Sequence, residues 1–216
     1  MKDTVIVFAR APRLGAVKRR LARDIGDRAA LRFHAATLTR LVRALVAERR
    51  FRTVVATTPD RARLSLQVKQ IPQRAGDLGT RMHRAFWRFP RGRVAIIGCD
   101  IPEANPGDLR AAFRALGSYD AAFGPAADGG YWLVAMSPRR PARPFASVRW
   151  SSAHALADTL VNFTNRRVAM LRTLHDVDTV SDWRRAQRPL TENRRLATVP
   201  CKRHTVRGIG WVIGGP

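Results

Sequence analysis

Lysine is scarce in this 216-residue chain. Of its 40 basic side chains only Lys2, Lys18, Lys69 and Lys202 are lysines, and the rest are arginines. Acid is scarce too, 16 Asp and Glu leaving a formal charge of +24. Two cysteines, Cys99 and Cys201, are too few for a disulfide framework. No apolar run approaches the ~18 residues of a membrane helix. Met1-Lys2-Asp3 leads into a short strand-like run, without the long apolar stretch and small-residue cleavage site of a signal peptide. The expectation is a soluble, cytoplasmic protein with no membrane insertion. With 45% hydrophobic and 26% charged residues the composition is globular, which excludes wholesale disorder and a collagenous chain. The length suits one domain with a sizeable core.

An excess of cations first suggests nucleic acid, because clustered arginines release phosphate counterions. Here the arginines are spread over almost every segment. Zinc-finger spacing, an RNP-type aromatic motif and a helix-turn-helix are all missing. A lopsided arginine-to-lysine ratio also fits a coding bias, and net charge speaks to solubility and association rather than fold. Nucleic acid is therefore the weaker reading, and anionic small molecules such as nucleotides fit the same charge.

Strand-like and helix-like segments alternate, which predicts an α/β protein with a mostly parallel sheet. Thr4 to Ala9 is a short β-branched run of the kind that fills a central strand, and it empties into the Pro/Gly loop Arg10-Ala11-Pro12-Arg13-Leu14-Gly15. Over Asp27 to Arg50 a helical stripe carries Leu31, His34, Leu38, Leu41, Val42 and Leu45, with Asp27 as its N-cap. Further strands are expected over Thr53–Thr57, Arg93–Asp100, Ala121–Gly124, Tyr131–Met136 and Val168–Leu174. Helices are expected over Asp77–Phe89, from Pro106 to near Gly117, and from a Ser151 or Ser152 cap to about Asn162. Residues 1–186 read as one domain and 187–216 as a peripheral or poorly ordered tail.

In open α/β sheets ligands bind beyond the carboxyl ends of the strands. Arg10, Arg13, Gly15, Lys18, Arg19 and Arg20 follow the first strand, Asp100 follows the strand at Arg93, Asp128-Gly129-Gly130 lies between the hairpin strands, and Asp176 and Asp178 follow the last strand. Cations from one loop and carboxylates from three others would meet at one edge, a combination that suits a phosphate chain bridged by a divalent metal. Each element also has a plainer explanation. Gly15 to Arg20 could be an ordinary loop and a basic first helical turn, although cations at a helix start are mildly unfavourable and favour ligand contact. It lacks the Gly-Lys-Ser/Thr ending of a Walker A loop. Asp100 could cap a turn, and Asp-Gly-Gly is a common turn sequence. Asp176 and Asp178 stand two apart, so an extended chain turns only one toward a site and leaves the other to cap the next helix. The five histidines show no metal-ligand spacing and read as structural or solvated. Cys99 lies in an apolar strand and reads as buried and inert.

The run Phe8-Ala9-Arg10-Ala11-Pro12-Arg13-Leu14-Gly15-Ala16-Val17-Lys18-Arg19-Arg20-Leu21 resembles the opening motif of the nucleotide-diphospho-sugar transferase-like proteins. Four segments extend the resemblance in order. Gln73 with Gly76-Asp77-Leu78-Gly79 and Arg81-Met82 is followed by Ile97-Gly98-Cys99-Asp100-Ile101-Pro102. Gly124 to Leu133 comes next, and then Trp150-Ser151-Ser152 with Asp176-Val177-Asp178-Thr179. The resemblance spans residues 4 to 183. Arg19 stands where the family usually has Thr, and the chain from Thr191 matches none of its motifs.

The resemblance implies a GT-A, Rossmann-like fold in a single domain with helices on both faces of the sheet. Related proteins include glycosyltransferases linked to arsenosugar biosynthesis. It implies a metal-dependent glycosyltransferase with a nucleotide-activated donor sugar and a small-molecule acceptor. Mg²⁺ or Mn²⁺ would bind Asp100, with Asp178 as second ligand. Arg10, Gly15, Lys18 and Arg20 become candidates for nucleotide contact. Asp77 and Arg81 become candidates near the base or ribose, although an N-cap explains Asp77 equally well. Asp128 is the candidate general base, and Gly130, Tyr131 and Trp150 the candidate sugar or acceptor pocket. The alternatives are a nucleotidyltransferase using a nucleoside triphosphate and a phosphorylated acceptor, and a non-catalytic basic protein binding nucleic acid.

Overall fold

A computed structural model describes residues 2–187. Seven strands form one sheet: β1 (Asp3–Arg10), β2 (Phe51–Thr58), β3 (Lys69–Pro72), β4 (Val94–Gly98), β5 (Ala121–Pro125), β6 (Tyr131–Met136) and β7 (Val168–Met170). Their order across the sheet is β3-β2-β1-β4-β6-β5-β7. β1 pairs in parallel with β2 and β4, β2 with β3, and β5 with β7. Only β6 runs against its neighbours, because it returns from β5 through the Asp128-Gly129 turn.

Alternating side chains of the buried strands feed two apolar layers, as expected for a sheet covered on both faces. Val5, Val7, Val55 and Ile97 pack on one face with Leu38, Leu41 and Leu45 of α2 (Asp27–Ala47) and Leu109 and Phe113 of α4 (Pro106–Ala115). Ile6, Val54, Ile96 and Phe123 pack on the other with Met82 and Phe86 of α3 (Leu78–Trp87) and with Phe145 and Phe163. Helices therefore cover both faces, as the resemblance implied.

Three short helices complete the chain: α1 (Arg19–Ile25), α5 (Ala155–Val161) and α6 (Val180–Ala186). α1 starts with the basic turn that is one of the two readings of Gly15 to Arg20. α5 starts later than expected, with His154 at its cap position. Ser152 instead ties the preceding turn, donating to the Arg149 carbonyl at 2.6 Å. The last strand is regular only to Met170, after which Leu174 makes a single bridge to Ala126. β3 was not expected at all. It is an edge strand with one buried side chain, Ile71, and a proline at its end, so it carries almost no period-two pattern. The expected tail lies outside the described residues beyond Gln187.

Candidate active site at the carboxyl edge of the sheet

The segments carrying Arg10 to Arg20 and Asp100 leave the sheet at the carboxyl ends of β1 and β4, and Asp128 to Gly130 form the turn between β5 and β6. Asp176 and Asp178 follow β7, Asp77 and Arg81 follow β3, and Trp150 precedes α5. β4 ends at Gly98, and Cys99-Asp100 carries the chain off the sheet. The Asp100 carbonyl accepts from Val177 N at 3.2 Å, which pulls the segment after β7 across the β4 end. The loop after β1 returns Lys18 to the same place.

Lys18 is the junction. Its Nζ lies 2.8 Å from Asp178 Oδ1 and 3.3 Å from Asp100 Oδ1. Its side chain is only 4% exposed, whereas the carboxylates of Asp100 and Asp178 are 47% and 43% exposed. Burial works against the lysine's charge, but Asp100 and Asp178 outweigh it and raise its pKa. Burial likewise works against the Asp100 carboxylate and is outweighed by the contact with His34 and the Lys18 ammonium, which bring its pKa down to about 2. Asp100 therefore stays ionised across the physiological range.

His34, read from the sequence as structural or solvated, stands at the site. It is buried on α2, its Nε2 is 2.9 Å from the Arg10 carbonyl, and its Nδ1 lies 3.4 Å from Asp100 Oδ1. Nδ1 makes no aligned hydrogen bond among the described residues. The one sequence signal was a histidine on an otherwise apolar helical stripe, which describes an ordinary core histidine just as well. Cys99 Sγ approaches Asp100 Oδ1 at 3.8 Å. Its thiol is raised well above its ordinary value by burial and by the Asp100 charge, so it stays protonated. Cys99 is buried, as expected.

The residues present suit a hard divalent cation. Two carboxylates from different loops already share one cationic atom, the Lys18 ammonium, and carboxylate oxygens are the donors Mg²⁺ and Mn²⁺ take. Donor atoms of His34, Cys99 and Asp100 also lie within 4.8 Å of one another. The neutral thiol is a poor ligand for a hard ion, which leaves the carboxylates as the better donors.

A wider acidic field surrounds this cluster. Asp176 is half-buried, and burial together with the charges of Asp178 and Asp128 raises its pKa. Asp176 does not cap the following helix: Thr179 does, accepting from Asp182 N at 3.3 Å within a reciprocal capping box. Asp128 is exposed and accepts from Gly130 N at 2.9 Å in the β5–β6 turn. Gly129 in that turn has φ +87°, and a Cβ there would run into the Ala153 backbone. Glycine thus lets the turn dock on the loop before α5, where Leu156 N donates to the Gly129 carbonyl at 3.0 Å.

Other candidates are placed differently. Arg10 donates to the Ala16 carbonyl at 3.3 Å and ties down its own loop, in which Gly15 takes φ +69°. Arg20 is exposed on α1 and forms no ion pair among the described residues. Asp77 caps α3, accepting from Thr80 N at 2.8 Å; this bond holds its pKa below the ordinary value. Arg81 Nε donates to the Gly76 carbonyl at 2.7 Å, and Arg81 lines a cavity of about 150 Å³ with Gln73, Arg74, Arg84 and Arg88. That cavity shares no lining residue with the Asp100 cluster. Gly130 is partly exposed. Tyr131 and Trp150 meet edge to face at 6.4 Å and join the α3-side apolar layer. A Cβ at Gly79 would lie 2.8 Å from the Trp150 ring, which explains why that motif position is glycine.

An open, mostly parallel sheet with an acid-and-lysine cluster at its carboxyl edge defines the class: a GT-A, Rossmann-like domain of the kind shared by nucleotide-diphospho-sugar transferases and nucleotidyltransferases. Within that class the chain belongs to the family described as "Uncharacterized protein conserved in bacteria" (DUF2064), which matches residues 21–152. A "putative nucleotide-diphospho-sugar transferase" from Desulfovibrio desulfuricans G20 is similar at 28% identity over 90% of each chain, with a TM-score of 0.83. A nucleotidyl transferase from Methanothermobacter thermautotrophicus shares the fold at 14% identity, TM-score 0.58, over 85% of this chain and 95% of its own. Rv0371c of Mycobacterium tuberculosis H37Rv, in complex with manganese, shares it at 19% identity, TM-score 0.54, over 86% and 98%. No curated protein matches the chain. No helix among the described residues is long and apolar enough to cross a membrane.

Proposed function

We propose that the chain is a transferase of nucleotide-activated substrates, and that its reaction is glycosyl transfer from a nucleotide sugar to a small-molecule acceptor. The observation that carries this reading is the meeting of Lys18, Asp100 and Asp178 at the carboxyl edge of β1 and β4. Two carboxylates beside a buried ammonium are equipped to hold a metal-bound diphosphate, and the similarity to the Desulfovibrio protein supports the donor class.

Asp100 and Asp178 would hold Mg²⁺ or Mn²⁺, which when bound neutralises a departing diphosphate as a Lewis acid. Lys18 offers a fixed positive charge to the same phosphate oxygens. Arg10, Gly15 and Arg20 shape the loop and helix start over which the nucleotide lies, and Asp77 and Arg81 stand at the α3 start for its base or ribose. Asp128, exposed in its turn, is the carboxylate free to take the acceptor's proton. Gly130, Tyr131 and Trp150 form the adjoining wall for sugar or acceptor.

A thermal-shift screen tests this directly, pairing nucleotide sugars and nucleoside triphosphates with and without Mn²⁺ or Mg²⁺. A ligand at ~100 times its dissociation constant adds about 2.7 kcal/mol of stability. A metal-dependent shift with one nucleotide sugar is the expected result. Shifts with triphosphates alone, and pyrophosphate release on turnover, would replace glycosyl transfer by nucleotidyl transfer. No shift with either class would end the proposal.

A further inference from the structure

Lys18 is placed unlike the other cations of its loop. Its side chain is almost fully enclosed while both carboxylates it touches are half open to solvent, so the ammonium sits behind the pair. The backbone there is unusual as well. Lys18 has φ 48° and ψ 45°, left-handed values that side-chain-bearing residues rarely adopt, and it precedes α1 without making a side-chain cap. Lys18 holds the N-cap position of α1 through its carbonyl, which accepts from Ala22 N at 2.8 Å, and leaves its side chain to the two ion pairs.

The consequence concerns the order of binding. A divalent ion bonds carboxylate oxygens at roughly 2.0–2.2 Å. An ion bound to the oxygens that now contact Nζ would lie within a few ångströms of the ammonium, where like charges repel strongly in a part-buried site. Lysine carries its charge on a flexible four-carbon stem, so it can turn to another anion without unfolding the loop. We infer that Lys18 is a built-in counter-ion that competes with the divalent metal for Asp100 and Asp178, and that a diphosphate opens the metal site by drawing the ammonium away. Metal and diphosphate then bind synergistically, each strengthening the other by the same factor. The inference rests on the reading of Asp100 and Asp178 as metal ligands.

The test is Mn²⁺ binding to the full chain, followed by electron paramagnetic resonance without nucleotide. Lys18→Met should bind Mn²⁺ about tenfold more tightly than the wild type. Arg19→Gln, which removes a neighbouring charge without touching either carboxylate, should change affinity less than about twofold. In equilibrium dialysis with inorganic pyrophosphate as probe, the wild type should retain more Mn²⁺ and Lys18→Met should show no such gain. Equal or weaker Mn²⁺ binding by a folded Lys18→Met protein overturns the inference, as does an equal gain in Arg19→Gln or no pyrophosphate effect in the wild type. Lys18→Gln, which keeps a polar group behind the carboxylates, gives the same ranking should the methionine variant not fold. Adding Asp100→Asn to Lys18→Met should abolish the gain. If tight binding survives that change, it is the metal-ligand reading of Asp100 that has failed, a separate result.

Discussion

At the scale of single residues, Asp100 and Asp176 face opposite electrostatic fates although both feel the charge of Lys18. Asp100 is depressed to about 2, against roughly 3.9 for an unperturbed aspartate. A carboxylate depressed in the folded state stabilises the fold above its unfolded pKa and loses that contribution as pH falls. Urea midpoints of the wild type should therefore fall between about pH 4 and pH 2, and Asp100→Asn should flatten that limb. Asp176 is raised by burial and by its acidic neighbours, so its ionised form weakens the fold at neutral pH. Asp176→Asn should raise the urea midpoint at pH 7, with a smaller gain at pH 3. Asp100→Ala should abolish metal-dependent nucleotide binding in the thermal-shift screen while the protein stays folded.

At the scale of elements, legibility followed apolar density. β1, β4 and the α2 stripe were plain because their buried side chains are contiguous or evenly spaced. The β5–β6 pair was plain because Asp128-Gly129 marks its turn. β3 escaped because a four-residue edge strand with one buried isoleucine holds no periodicity to detect. In the site, Asp100 could be picked out at a strand end, whereas His34 could not, since burial on an apolar stripe is what most core histidines show. Whether Asp176 or Asp178 would reach the lysine was equally beyond reading, because the segment after β7 is irregular and side-chain alternation does not apply to it. The turn itself gives a sharp prediction. Gly129→Ala combines a left-handed backbone with a collision against Ala153 and should cost about 2–4 kcal/mol, read as a lower urea midpoint. Phe86→Ala, in the α3-side layer, should cost about 3–5 kcal/mol by leaving a cavity.

At the scale of the molecule, the chain carries a formal charge of +24, whereas the candidate site is locally acidic. Nucleotide affinity should therefore fall as ionic strength rises, because the arginines attract the ligand over a Debye length of about 8–10 Å. Titrations at 50 and 300 mM salt check this. Binding to nucleic acid that proved tight, selective in sequence and independent of metal would instead make the arginines the working surface.

Lys18 and Asp178 stand 160 residues apart, and both lie outside the 21–152 segment that matches the family. Contacts of such separation form late, after the loop entropy between them has been overcome. A chain emerging from the ribosome can thus lay down β1, β4 and the hairpin while its ammonium still lacks its closer carboxylate. The charge cluster is completed only when nearly the whole domain has been made, so a fragment ending before Asp178 can keep most of the sheet and still leave the cluster one carboxylate short.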